Sequence, residues 1–135
     1  MPAFLALRHT SPPGFFPGVF AALTRCRLVT RYPHSGIVID GVLYEATFKH
    51  GVRATVFDSS GWDLFTINKA SKIDMLARFK QVEGRPYDWF SLLAFVLPFR
   101  ARMAQWFYCY EFCSFMLDGI NPSKRVTPEI LLTKV

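Results

Sequence analysis

Residues 105–117 form an apolar, aromatic run with the length of a buried helix. Asp118 and Gly119 follow the run directly and supply a helix stop signal. The run carries Cys109 in its first turn. The first turn of a helix holds unpaired N–H groups and a partial positive charge, and both favour a thiolate over a thiol. Because cysteine is also often buried as a small apolar residue, position alone leaves a reactive and a structural role open.

The length and composition indicate one domain with a single core. The chain has 135 residues, of which 51% are hydrophobic and 14 are phenylalanines. We therefore predict that residues 1–135 form a single domain. The formal net charge is +6, but the lysines and arginines are scattered singly along the chain. We expect a basic surface attracted to an anionic polymer or a membrane surface, and no nucleic-acid partner.

The cysteine content argues against disulfides and metals. The three cysteines are Cys26, Cys109 and Cys113, an odd number that does not form a disulfide framework. Together with three scattered histidines, they match no standard zinc or iron–sulfur pattern. The sequence therefore predicts reduced thiols, no metal and no cofactor.

No part of the chain has the pattern of a targeting or membrane segment. The apolar patch in residues 1–8 is too short for a signal peptide, and no segment reaches the ~20 residues of a membrane span. Residues 89–99 are apolar but short and contain Pro98, which suits a core helix. We expect no signal peptide, no transmembrane segment and a protein that is cytoplasmic at synthesis.

The strongest local signal is a β-hairpin around Asp40 and Gly41. Residues 34–39 and 42–47 are rich in β-formers and flank this Asp-Gly pair, which is typical of a two-residue turn. Such a turn pairs Ile39 with Val42 and fixes the register of the whole hairpin.

This register places an imidazole and a carboxylate on one face of the sheet. His34, Gly36, Glu45 and Thr47 share that face, with Glu45 diagonal to His34. A carboxylate beside an imidazole fixes its tautomer and raises its basicity, as a general base that activates a thiol requires. The alternative is that His34 caps a strand and Glu45 is solvated, since such neighbours are common in sheets.

The remaining patterns complete an α+β architecture. Further strands are predicted at residues 3–8, 28–33, 52–57 and 62–67. Helices are predicted at residues 18–25, from 69 to Gly84, at 89–97 after Asp88, and finally through Leu132. In the second helix, the predicted buried face consists of Ile73, Leu76, Phe79 and Val82. We therefore predict an antiparallel sheet of about five strands packed against a helical half.

Several motifs occur in the order of a known family. They are His34-Ser-Gly-Ile-Val-Ile, Tyr44-Glu-Ala, Gly51-Val-Arg, Gly84-Arg-Pro-Tyr-Asp-Trp, Trp106-Phe-Tyr-Cys-Tyr-Glu-Phe and Val126-Thr-Pro-Glu-Ile-Leu. In this order, from about residue 4 to residue 132, the chain resembles the circularly permuted branch of the NlpC-like, papain-fold cysteine peptidases and amidases. In that branch the histidine strand precedes the cysteine helix, the reverse of the order in papain.

The resemblance implies a role for four residues. Cys109 matches the nucleophile, His34 the general base and later acid, and Glu45 the third member that orients the imidazole. Tyr87 matches a tyrosine that lines the cleft beside the nucleophile and contacts substrate. The resemblance implies no cofactor.

The chain departs from the family pattern directly after the candidate nucleophile. Relatives usually have Cys-Ser-Glu, whereas Tyr110 occupies the serine position here, and Cys113-Ser114 is a competing match. We favour Cys109 because it begins the helix, where the dipole favours a thiolate, and Cys113 lies one turn inside. Glu111 is predicted to be structural.

Three functions are compatible with these residues. The first is a thiol hydrolase that cleaves amide bonds of peptidoglycan stem peptides, since relatives often do so. Small relatives without a signal peptide also occur among phage tail proteins, so other tail proteins are candidate partners and the virion a candidate location. The second is a lipid-directed acyltransferase or thioesterase, which an acyl groove lined by residues 89–99 would favour. The third is a catalytically silent papain-fold module used in assembly.

Overall fold

The computed structural model describes residues 2–9, 34–47, 50–85, 109–120, 126 and 128–135. Five strands lie in this part of the chain: β1 (Phe4–Arg8), β2 (His34–Ile39), β3 (Val42–Thr47), β4 (Gly51–Val56) and β5 (Trp62–Thr66). The helices in the same part of the chain are α1 (Lys72–Val82), α2 (Cys109–Asp118) and α3 (Pro128–Leu132). Among the described elements the strands precede the helices, so the predicted α+β class is confirmed.

The strands form one antiparallel sheet in the order β4-β3-β2-β1-β5. Neighbours β2, β3 and β4 follow one another along the chain, as expected for successive hairpins. The strand β5 instead crosses to the other edge and pairs with β1. The sheet therefore brings the start of β5 beside the start of β2, with the end of β1 between them.

The predicted two-residue turn joins β2 to β3. Asp40 has φ 49° and Gly41 has φ 79°, and positive φ at both central residues is what a type I′ turn requires. The register pairs Ile39 with Val42, as predicted. Because side chains alternate between the faces of a sheet, this pairing sets the face of every residue in the hairpin.

The main core lies between one face of the sheet and the helices. Leu5, Leu7, Ile37 and Ile39 alternate along β1 and β2 and are essentially unexposed. They pack in one cluster with α2, which is buried from Cys109 to Leu117. A helix buried on all sides is central to a domain, and α2 contacts β2, β3, α1 and α3.

The helix α1 forms as predicted, but one of its predicted core residues is wrong. Ser71 caps its N-terminus by accepting a hydrogen bond from the backbone N–H of Asp74 at 3.1 Å. The buried face consists of Met75, Phe79 and Val82. Ile73 was expected on this face, yet it is 81% exposed. The buried residues are spaced by four and then three positions, and a helical face with this spacing does not include Ile73.

The helix ends match the sequence signals. Gly119 follows α2 with φ 74°, and its backbone N–H donates to the Phe115 carbonyl at 2.8 Å. Gly84 has φ 84° after α1. The elements predicted at residues 18–25, 28–33 and 89–97 lie outside the described residues. Within the described ranges, no helix combines the length and the apolar character needed to span a membrane.

Candidate active site

The first residue of β2 and the fourth residue of β3 meet across the hairpin. His34 Nε2 lies 2.8 Å from Glu45 Oε2, so the proximity that the register predicted is confirmed. The two side chains are 12% and 6% exposed, respectively. A hydrogen bond between two such buried groups holds both in one geometry and is only weakly screened by salt.

The candidate nucleophile contacts the same imidazole. Cys109 is the first residue of α2, is 2% exposed, and forms a side-chain hydrogen bond with His34. Because Nε2 faces Glu45, the ring nitrogen left for the thiol is Nδ1. Cys109, His34 and Glu45 therefore form one continuous chain of hydrogen bonds.

The electrostatic environment of His34 favours a protonated imidazole. Burial lowers the pKa of His34, but hydrogen bonds and charge interactions with Cys109 and Glu45 outweigh this and raise the pKa to about 9. Burial raises the pKa of Glu45, yet His34 and Arg53 lower it more, so that the net direction is downward. The arrangement can therefore hold an imidazolium beside a carboxylate at neutral pH.

Arg53 completes the environment of the carboxylate. Its Nε and Nη2 donate to Glu45 Oε1 at 3.1 and 3.0 Å, while Oε2 faces His34. Arg53 lies directly opposite Glu45 in the register of β3 and β4. We did not predict Arg53 as a site residue. Its place in the Gly51-Val-Arg motif was the available signal in the sequence. The pairing register of β3 with β4, which brings Arg53 to Glu45, was not assigned from the sequence.

The second thiol of α2 has a different partner. Cys113 lies one turn after Cys109, is fully buried, and donates from Sγ to Ser35 Oγ at 3.4 Å. Burial raises the pKa of the Cys113 thiol, and the charges of Cys109 and Glu45 add to this effect. Cys113 is thus held as a protonated thiol.

An aromatic side chain lies beside the imidazole. The Trp62 ring lies 5.8 Å from the His34 ring, centroid to centroid. The Arg8 guanidinium lies 5.6 Å from the Trp62 ring centroid, within cation–π range. The sequence did not indicate that Trp62 would lie near His34. Trp62 reaches this site because β5 pairs with β1, and not through a local hairpin.

Of the remaining predicted site positions, two lie in the described part of the chain and the others lie outside it. Tyr110 and Glu111 are both fully buried, and Tyr110 belongs to the main core. A bulky residue after Cys109 therefore fills core volume at that position. Tyr87 lies outside the described residues, and so does the segment 89–99 invoked for an acyl groove. In the described part of the chain, no three His, Cys, Asp or Glu side chains are grouped to hold a metal ion.

A scan of protein-family models and a search of curated proteins returned no match to this chain.

Proposed function

We propose that the protein is a cysteine-nucleophile hydrolase of the permuted NlpC-like, papain-fold type. Cys109 is the nucleophile, His34 the general base and acid, and Glu45 the residue that orients the imidazole. The observation that carries this proposal is the continuous set of contacts from Cys109 through His34 to Glu45, which begins at the start of a buried helix. A nucleophile bonded to a base, which is in turn oriented by a third group, is the arrangement of known triads.

In the reacting state the thiol proton of Cys109 is already on His34, and in the first half of the reaction the Cys109 thiolate attacks the carbonyl carbon of an amide. The C–S bond forms, and the carbonyl electrons move to oxygen. The first N–H groups of a helix lack acceptors within the helix and can stabilise this oxyanion. His34 then donates its proton to the leaving nitrogen as the C–N bond breaks, and an acyl-enzyme thioester remains.

In the second half, His34 accepts a proton from water as the water oxygen attacks the thioester carbonyl. The C–S bond breaks, the Cys109 thiolate leaves, and the acyl group departs as a carboxylic acid. Glu45 keeps Nε2 occupied throughout both halves, so that only Nδ1 is available to exchange protons with the thiol, the amine and water. The two steps together consume one amide bond and one water.

The proposed substrates are the amide bonds of peptidoglycan stem peptides. This assignment comes from the family resemblance, and the formal net charge of +6 supports attraction to an anionic wall polymer. By the same resemblance, we propose that the protein works as part of a phage tail, with other tail proteins as partners. The residues that would line an acyl groove lie outside the described part of the chain, so no observation favours a lipid substrate.

The first test measures thiol reactivity, which does not require the substrate to be known. Purified protein is treated with iodoacetamide near neutral pH, and modified cysteines are mapped by mass spectrometry in the wild type and in His34→Ala. We expect fast modification confined to Cys109, slowed in the variant by roughly 10²-fold or more, which is the scale of general-base assistance. Cys113 in the same protein serves as the internal control, because it is a buried thiol whose described hydrogen-bond partner is the Ser35 hydroxyl.

The second test identifies the substrate class. Peptidoglycan fragments and a lipid ester are offered separately to the wild type and to Cys109→Ala. Release of stem-peptide products by the wild type alone supports the proposal, whereas turnover of the lipid ester alone assigns an acyl-transfer function. Slow labelling that does not depend on His34 would identify a resting thiol and leave an assembly module as the remaining function.

A further inference from the structure

We propose that Arg53 is a positioning residue of the site, which holds the Glu45 carboxylate in the orientation that presents Oε2 to His34. This inference depends on the proposed function, because it concerns how the third member of the triad is fixed. Arg53 touches neither the thiol nor the imidazole in any described contact, so that its effect passes through Glu45.

The first support is the division of the two carboxylate oxygens. Arg53 directs both Nε and Nη2 to Oε1, at 3.1 and 3.0 Å, and His34 Nε2 lies 2.8 Å from Oε2. A carboxylate held by one partner can rotate about its last side-chain bond. When each oxygen has its own fixed donor, that rotation would break a charge-assisted hydrogen bond.

The second support is the contrast in exposure. The Glu45 side chain is 6% exposed, whereas that of Arg53 is 38% exposed. An ion pair between two exposed side chains has little effect on either partner. Here the Glu45 carboxylate is buried, and a buried carboxylate that lacks enough nearby positive charge or hydrogen-bond donors takes up a proton. The guanidinium therefore supplies, from the protein surface, the second positive charge that keeps Glu45 ionised.

The third support is that the backbone fixes the position of Arg53. Glu45 and Arg53 are directly opposite in the register of β3 and β4, and the pairing continues through Ala46 with Val52 to Thr47 with Gly51. Directly opposed residues have side chains within contact distance. The contact is thus set by strand pairing and not by a chance meeting of two long side chains.

The experiment follows the pH dependence of Cys109 labelling by iodoacetamide in three variants of Arg53. Arg53→Met removes both the charge and the donors, Arg53→Gln keeps a donor without the charge, and Arg53→Lys keeps the charge without the two-donor geometry. The matched control is Lys72→Met. It removes one positive charge from an ion pair with Asp40 at the turn end of the same hairpin, where Lys72 Nζ lies 2.7 Å from Asp40 Oδ1.

We expect the acid side of the labelling profile to move to higher pH in Arg53→Met and Arg53→Gln. A shift of about one pH unit corresponds to labelling about tenfold slower on the acid side. The physical reason is that Glu45 takes up a proton more readily without the guanidinium, and a neutral Glu45 no longer supports the imidazolium. Arg53→Lys should keep the acid side near that of the wild type, and Lys72→Met should not shift it.

A double variant separates positioning through Glu45 from a general effect on folding. If Arg53 acts only through Glu45, then Arg53→Met has no further effect on labelling when it is added to Glu45→Ala. Equal slowing by Arg53→Met in the wild-type and Glu45→Ala backgrounds would overturn the proposal, and so would an Arg53→Gln profile that coincides with the wild type. Should Arg53→Met fail to fold, the Gln and Lys variants still decide the question.

The outcome is distinguishable from a failure of the proposed function. If labelling of Cys109 does not depend on His34, the Cys–His pair itself is absent and the proposed function fails. If labelling depends on His34 but all Arg53 variants follow the wild type, only the role of Arg53 is wrong.

Discussion

Two thiols one helical turn apart are almost equally buried but contact different partners. Cys109 and Cys113 are both on α2 and both almost completely buried. They contact consecutive residues of β2: Cys109 bonds to His34, and Cys113 donates to Ser35. A histidine can take a proton from a thiol, whereas a serine hydroxyl accepts a hydrogen bond without taking the proton. The difference lies in the partner and not in the depth.

The carboxylate behind the imidazole strengthens this contrast. Glu45 contacts His34 directly, and together with Cys109 it raises the pKa of His34 to about 9 against the effect of burial. Burial is the main cause that raises the pKa of the Cys113 thiol, and the same negative charges add to it. One set of charges therefore raises both the pKa of the imidazole beside the first thiol and the pKa of the second thiol itself.

The largest expected effect comes from removing each thiol in turn. Cys109→Ala should reduce amide hydrolysis by roughly 10⁴-fold or more, as expected for loss of a covalent nucleophile. Cys113→Ala should keep activity within a few-fold of the wild type, since its sulfur takes no part in the reaction. The measurement is kcat/KM on peptidoglycan fragments for both variants.

The opposite result would exchange the roles of the two thiols. Activity that survives in Cys109→Ala and is lost in Cys113→Ala would make Cys113 the nucleophile. Circular dichroism of both variants, compared with the wild type, shows whether a loss of activity reflects a loss of fold.

The next largest effect concerns the carboxylate that distinguishes the two environments. Glu45→Ala should lower kcat/KM by about 10²-fold, the lower end of the usual contribution of general acid–base catalysis. Glu45→Gln should lose less, because an amide oxygen can still accept a hydrogen bond from His34 Nε2. Asp40→Asn, which removes an exposed charge in the same hairpin and keeps a residue that favours the type I′ turn, is the control. Equal activity in Glu45→Ala and the wild type would mean that His34 needs no orienting partner.

The hairpin explains how much of this site the sequence could predict. Asp40 and Gly41 specify a two-residue turn, and the turn fixes the register that brings Glu45 to His34. This inference needs only local geometry, so it is reliable without a structure. The apolar run with its glycine stop similarly predicted the described helix Cys109–Asp118, while residues 105–108 of that run lie outside the described residues. The meeting of Cys109 with His34 was expected only from the family resemblance.

Other features depend on contacts that local patterns do not determine. Trp62 reaches His34 because β5 pairs with β1 at the far edge of the sheet, and loop length alone does not select that edge. Ile73 was assigned to the buried face of α1 from three-residue spacing, although Met75, Phe79 and Val82 form that face. Either set of apolar residues is compatible with an amphipathic helix, and only the packing of the helix in the folded protein determines which set is buried.

The pKa of His34 gives a pH test that separates bond cleavage from thiol reactivity. Because that pKa is raised to about 9, His34 stays protonated at neutral pH and loses its proton as the pH rises through this value. Cleavage needs that proton for the leaving amine, so kcat should fall about tenfold per pH unit on the alkaline side. Iodoacetamide labelling of Cys109 needs only a thiolate and should not fall. A parallel decline of both rates would contradict the role of His34 as an acid.

The smallest effects concern the contact of Cys113 with Ser35. Cys113→Ala leaves a small cavity in the core and should lower the free energy of unfolding by about 1 kcal/mol. Ser35→Ala removes only the acceptor of a weak S–H donor, so its cost should stay below about 1 kcal/mol. Urea denaturation followed by tryptophan fluorescence measures both free energies, and labelling of Cys109 in the same variants should match the wild type. If Ser35→Ala slowed that labelling tenfold, the contact would serve to set α2 against β2 and bring Cys109 to His34, and the second thiol would belong to the working site.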